Sequence, residues 1–214
     1  MTAATDRPAP PATFAFTPEN VERTAAIIAK YPPGRQASAV IPLLDLAQRQ
    51  SGGWLPGAAI EYVAGLLDMP VMRVFEVATF YTMFNLAPVG RFHVEICTNL
   101  PCWLRGSDDI VGACRKALGI GLGETTADGL FTVSEVECQG ACVNAPMAKI
   151  GDDFYEDLTP DAMETVLQRL RAGEQPKPGS QLGRTSCEPL GGVTSLKSVD
   201  AVAAITIKDS GGPS

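Results

Sequence analysis

Six cysteines constrain this chain more than any other feature, and they do so through their spacing. Cys97 and Cys102 are separated by four residues and Cys138 and Cys142 by three, while Cys114 and Cys187 stand alone. Two pairs with two singles is the pattern of a four-ligand metal site with two bystanders. Disulfides are a poor explanation. A chain of 214 residues can bury a core without covalent staples, and a reducing compartment keeps its thiols free. The first residues, MTAATDRPAP, carry no apolar segment of the signal-peptide kind, and Asp6 beside a single Arg suits an organellar transit peptide poorly. The expected compartment is cytosolic.

Composition narrows the function classes. With 17 Lys+Arg against 24 Asp+Glu the net charge is −7, which argues against a nucleic-acid or anionic-membrane binder, because both need a basic surface. No apolar run approaches the ~18 residues of a membrane span. At 45% apolar and 19% charged the chain reads as an ordinary globular protein, of one domain or two small ones.

Hydrophobic periodicity divides it. Residues 1–13 are mostly Ala, Pro and Thr and are expected to be disordered. Thr17 can cap a helix starting at Pro18, with Val21, Ala25 and Ile28 as its apolar stripe. A second helix starts at Ser38 with Val40, Leu43, Leu44 and Ala47 on one face; a third follows Pro56 and a fourth Pro70. Residues 14–87 therefore read as a small helical bundle. After Pro88 the pattern switches: Phe92, Val94 and Ile96 alternate with Arg91, His93 and Glu95 in a strand that delivers Cys97 at its end. A helix over 106–118, strands over 130–136, 147–150 and 153–156, and a closing helix over 160–171 complete a βαβββα unit in residues 88–172. The expected class is α+β, a helical bundle followed by an α/β domain. Residues 173–214, rich in Gly, Pro and Ser, read as an extended tail with no core of its own.

Each cysteine pair falls just after a predicted strand, where a sheet can aim two thiolates at one point. Pro101 stiffens the first loop, and Gly140 and Ala141 keep the second small enough for backbone N–H groups to approach sulfur. That suits a [2Fe-2S] centre, whose buried negative charge requires hydrogen-bond donors that also tune its potential. Four cysteines in two pairs equally describe structural zinc, and spacing alone leaves the two open. A redox dithiol fits less well, since no C-x-x-C occurs, and a Rieske centre needs two histidines where the chain has only His93.

Three stretches carry a resemblance. They are Ala78-Thr79-Phe80-Tyr81-Thr82-Met83-Phe84, Cys97-Thr98-Asn99-Leu100-Pro101-Cys102-Trp103-Leu104-Arg105-Gly106 and Glu137-Cys138-Gln139-Gly140-Ala141-Cys142-Val143-Asn144-Ala145-Pro146. Together they closely resemble the small [2Fe-2S] subunit of NADH:quinone oxidoreductase, respiratory complex I, over about residues 14–172. The resemblance implies a thioredoxin-like ferredoxin domain after the helical bundle. It also implies one [2Fe-2S] cluster, with Cys97 and Cys102 on one iron and Cys138 and Cys142 on the other, and no catalytic residue. It implies a partner subunit that binds FMN and NADH and gives the cluster one electron, within the peripheral arm of the complex. The expected location is then the cytoplasmic side of a bacterial inner membrane, without insertion into it. Gly183-Arg184-Thr185-Ser186-Cys187-Glu188-Pro189 resembles the tail of alphaproteobacterial and mitochondrial members. Two alternatives stand beside this reading: the equivalent subunit of an NAD-linked hydrogenase or formate dehydrogenase, and a structural zinc protein using the same four thiolates.

The remaining conspicuous residues have plainer readings. Gly119-Ile120-Gly121-Leu122-Gly123 follows a helix rather than a strand and reads as a helix cap, not a dinucleotide loop. Cys114 lies on an apolar face with Ile110 and Leu118, and His93 reads as structural. Cys187 reads as a free thiol in the tail, and Trp103 as an anchor of its loop or a shield for the site. Eight acidic residues between 130 and 165, against Lys149 alone, read as a solvated face.

Overall fold

The computed structural model describes residues 11–192 and 194–195. Most of the segment expected to be disordered, and residues 196–214 of the tail, lie outside the described residues. Two compact units emerge, one running to His93 and including Leu122–Thr132, the other formed by Val94–Gly121 and the chain from Val133 onward.

The first unit is built on four helices, α1 (Pro18–Ile28), α2 (Val40–Gln50), α3 (Gly57–Leu66) and α4 (Val71–Phe80). Thr17 caps α1 by accepting the Asn20 N–H, as the sequence predicts. The buried stripe of α1 differs from the expected one. Val21 is 49% exposed and Ala25 is exposed, while Thr24 is buried and Ile27 and Ile28 are half-buried. The cause is polar: Gln50 Oε1 of α2 accepts from Thr17 N (3.1 Å) and Asn20 Nδ2 (2.8 Å). Asn20, Thr24, Ile27 and Ile28 share one helical face, so this anchor turns that face inward. A 3₁₀ turn at Gln36–Ala39 precedes α2 and delays its start past Ser38. Pro56 and Pro70 stand at the N-caps of α3 and α4. Leu43, Leu44, Ile60, Val63 and Val74 form the centre of the core, with Phe14, Phe16 and Tyr62 packed edge to face beside it.

The strands are β1 (Phe92–Cys97), β2 (Glu124–Thr125), β3 (Phe131–Val136), β4 (Ala148–Ile150), β5 (Asp153–Glu156) and β6 (Gly179–Ser180), hydrogen-bonded in the order β2-β3-β1-β4-β5-β6. β1 and β4 are antiparallel with Val94 opposite Ile150 and Ile96 opposite Ala148. The β4–β5 hairpin is antiparallel, and β6 adds parallel to β5. Three further helices belong to the second unit: α5 (Leu100–Leu104), α6 (Ser107–Leu118) and α7 (Pro160–Arg171). α6 packs on α7, and Gly119, in the left-handed conformation at φ 71°, caps α6. Cys114 is fully buried there, as the periodicity predicts.

Candidate metal centre

All four paired cysteines lie in the second unit. Cys97 ends β1, and its N–H donates to Met147 O at 3.3 Å. Asn99 then caps α5 by accepting the Leu100 N–H, so the first loop contains a helical turn where the sequence suggests only a loop. The turn has one function visible in its spacing. It buries Cys102 at 1% exposure while leaving Leu100, Trp103 and Leu104 between 54% and 69% exposed. Residues at i, i+3 and i+4 share a face, so α5 points its thiol inward and an apolar surface outward. Trp103 is therefore not a core anchor, contrary to one of its two expected roles.

The second pair follows β3. Gly140 adopts φ 84°, a conformation that glycine reaches without strain, and Cys142 opens a 3₁₀ turn over Cys142–Asn144. Cys138 and Cys142 are exposed, with their sulfurs 3.4 Å apart. Thiolates sharing a tetrahedral ion at bonds of ~2.3 Å stand about 3.8 Å apart, so small adjustments suffice. The two loops are tied together. Thr98 Oγ1 donates to Glu135 (2.5 Å) and Asn99 Nδ2 to Glu137 (2.9 Å).

Electrostatics distinguish the four sulfurs. Burial pushes the Cys102 thiol up to about 12, helped by its hydrogen bond with Cys97 and the charges of Cys97 and Cys142, while the Met147 N–H works in the opposite direction. Cys138 is lowered, first by the N–H of Gly140 and then by its hydrogen bond with Cys142. Cys142 is raised, first by sharing that hydrogen bond and then by burial. For two of these sulfurs a neighbouring backbone N–H favours the thiolate, that of Met147 for Cys102 and that of Gly140 for Cys138. Among the described residues no three His, Cys, Asp or Glu side chains converge on one ion's position, so the thiols stand as two neighbouring pairs.

The donor set fits an iron–sulfur cluster. All four candidate ligands are sulfur, in a buried pair and an exposed pair, and backbone N–H groups near them would offset the negative charge that four thiolates bring. Cys114 and Cys187 stay outside the site, one in the core and the other exposed in the tail.

Several residues of the site escape sequence reasoning. The acidic group is not uniformly solvated: Glu135 and Glu137 brace the first loop, and Asp157 is buried at 4% exposure. Asp157 pairs with Arg184 of the tail, which also donates to Val143 O beside Cys142. Burial alone would raise the Asp157 carboxyl. Hydrogen bonds from Arg184 and Ser180, with the charges of Arg184 and Arg105, outweigh that and hold it below the usual carboxylate range. A single cation in the Gly183–Pro189 stretch was the available signal, but a sequence gives no measure of distance across 27 residues.

The model of the thioredoxin-like [2Fe-2S] ferredoxin family matches residues 24–171. The E-type subunit of NADH-quinone oxidoreductase from Rickettsia bellii is 60% identical over 158 residues, covering 74% of this chain and 95% of the relative. Its counterpart from Rickettsia conorii is equally similar, at 60% identity with the same coverage. Among solved structures, a chain of NAD+-reducing [NiFe]-hydrogenase in its H2-reduced state is 22% identical, with a TM-score of 0.54. That match covers 63% of this chain and 23% of the hydrogenase chain, and it speaks for the fold alone. With its four cysteines in two pairs on a ferredoxin fold, the chain belongs to the thioredoxin-like [2Fe-2S] ferredoxins and, among them, to the family of E-type subunits of NADH-quinone oxidoreductase.

Proposed function

We propose that the chain is the one-electron carrier of the NADH-oxidising module of NADH:quinone oxidoreductase, with one [2Fe-2S] cluster held by Cys97 and Cys102 on one iron and Cys138 and Cys142 on the other. The observation that carries the ligand assignment is the arrangement of these thiols as two pairs, Cys138 and Cys142 with their sulfurs 3.4 Å apart and Cys97 and Cys102 buried in one cluster. When bound, the cluster supplies reversible one-electron chemistry. The chain's own residues supply the setting. Buried Cys97 and Cys102 exclude water on one side, and the amides of Gly140 and Met147 offset the charge of the reduced form.

FMN and NADH belong to a partner subunit on this reading. The outward face of α5, with exposed Leu100, Trp103 and Leu104, is the kind of surface a partner covers, since exposed apolar groups next to a site mark an interface. Among the described residues no helix is long and apolar enough to cross a membrane. We place the chain as a peripheral subunit on the cytoplasmic side of a bacterial inner membrane. The high identity to the Rickettsia relatives over nearly their whole length favours this module over a hydrogenase or formate dehydrogenase. Purification of the chain with its native partners tests the choice: an FMN-containing, NADH-oxidising partner together with quinone-reducing subunits is expected, and co-purification with a hydrogenase or formate dehydrogenase subunit would overturn it.

A further inference from the structure

The tail returns to the second cysteine loop and holds it. After α7 the chain runs back along β5, where Tyr155 Oη donates to Pro176 O and Gln181 N–H to Glu156 O. Residues 179–180 add the strand β6. Arg184 then turns inward until its side chain is only 9% exposed, against a 2% exposed Asp157 side chain. Its guanidinium makes four hydrogen bonds. Nε and one terminal nitrogen grip both Asp157 oxygens (2.9 and 2.5 Å), and the same terminal nitrogen donates to Val143 O (3.1 Å). The other terminal nitrogen donates to Glu188 O (2.9 Å), closing the tail on itself. Ser180 Oγ donates to Asp157 as well (2.6 Å). A second tie runs from the loop: buried Asn144 donates its Nδ2 to Ser186 O (2.8 Å) and to Glu156 (2.6 Å).

Two of these ties, Val143 O and the Asn144 amide, belong to the residues that immediately follow Cys142. A tail that only lengthened the sheet would need neither. A buried ion pair is also a poor source of net stability, because desolvation offsets most of the attraction; fixing one geometry is what a forked guanidinium does well. We propose that residues 179–188 are a latch that sets the position of the second cysteine loop, with Arg184 as the positioning residue. Its effect on the metal centre rests on the assignment of Cys138 and Cys142 as ligands, whereas its effect on the loop does not.

The test uses the full chain carrying Arg184→Gln, with Arg184→Lys as a second variant that keeps the charge and the stem but cannot form the fork. Arg169→Gln, which removes an exposed ion pair between α7 and Glu174, serves as the control. In the metal-free chain, amide hydrogen exchange at Asn144 and Ala145 is expected to quicken at least tenfold in both Arg184 variants, with Val94 and Ile96 in β1 unchanged. After reconstitution with iron and sulfide, bleaching by a chelator is expected to quicken several-fold and the EPR lines of the reduced centre to broaden, with the control matching wild type. Uniform acceleration of exchange across the second unit would overturn the latch in favour of a general staple, and unchanged exchange at Asn144 and Ala145 would overturn it outright. A wild-type chain that takes up no iron and sulfide overturns the cluster assignment instead, leaving the exchange pattern to decide the latch.

Discussion

Lys149→Met probes the strand that aims Cys97. Lys149 sits opposite Glu95 in the β1–β4 register, with Nζ donating to Glu95 Oε2 at 2.7 Å. The side chains are 26% and 11% exposed, so the pair is mostly desolvated. The Met side chain keeps the aliphatic stem and leaves the Glu95 carboxylate without that cation. A hydrogen bond to a charged group contributes about 1.5–3 kcal/mol, and partial exposure of the lysine places the loss nearer about 1–2 kcal/mol. In a protein of this size that lowers Tm by about 2–8 °C. Replacing both partners, Glu95→Leu with Lys149→Met, removes the stranded charge and is expected to recover most of the loss. Urea unfolding followed by far-UV circular dichroism reads wild type, Lys149→Met, Glu95→Leu and the double variant, with an unchanged slope expected throughout. The reasoning is refuted if Lys149→Met is as stable as wild type, or if the double variant is less stable than either single one.

Other consequences follow from individual positions. Cys114→Ala leaves a small cavity in a fully buried site and is expected to cost about 1 kcal/mol while preserving the visible spectrum of the reconstituted chain; Cys138→Ser is expected to reduce its iron content sharply. Cluster loss in the Cys114 variant would contradict the ligand set. Gly140→Ala meets no neighbouring atom, but at φ 84° it strains the backbone by about 1–2 kcal/mol, and it is expected to lower cluster yield by displacing the amide at Cys138; an unaltered yield and stability would count against that role. Asp157 occupies a left-handed conformation that asparagine also tolerates, so Asp157→Asn removes charge with little backbone cost. The folded carboxyl lies below its unfolded value of about 3.9, so its contribution is complete above that pH and is lost as pH falls through the lower folded value. Urea midpoints should therefore show wild type ahead of the variant at pH 7 and pH 5, with the gap closing on further acidification; a gap that widens would refute the sign.

The sequence is most legible where periodicity and caps agree. α1 begins at Pro18 because its Thr17 cap defines that end, and β1 and α7 occupy the predicted residues because each combines a clear apolar period with a defined end. Two-residue strands such as β2 and β6 carry no period at all, and α5 is a single capped turn. The inward face of α1 depends on Gln50, 30 residues from Asn20, which no local pattern encodes. At the candidate metal centre the four sulfurs are visible from spacing and resemblance. The donors near them are backbone N–H groups, which every residue type but proline carries, so no residue choice marks them in the sequence. Asp157 is one acidic residue among eight until Arg184 is seen to meet it.

The central claim is the identity of the group held by Cys97, Cys102, Cys138 and Cys142. Iron, sulfide and zinc counted per chain on anaerobically purified protein, with EPR before and after reduction, test it most directly. The account predicts about two irons and two sulfides, a brown protein, and a paramagnetic signal that appears only on reduction. A colourless protein with about one zinc and no sulfide would contradict it, leaving the same thiolates as a structural metal site.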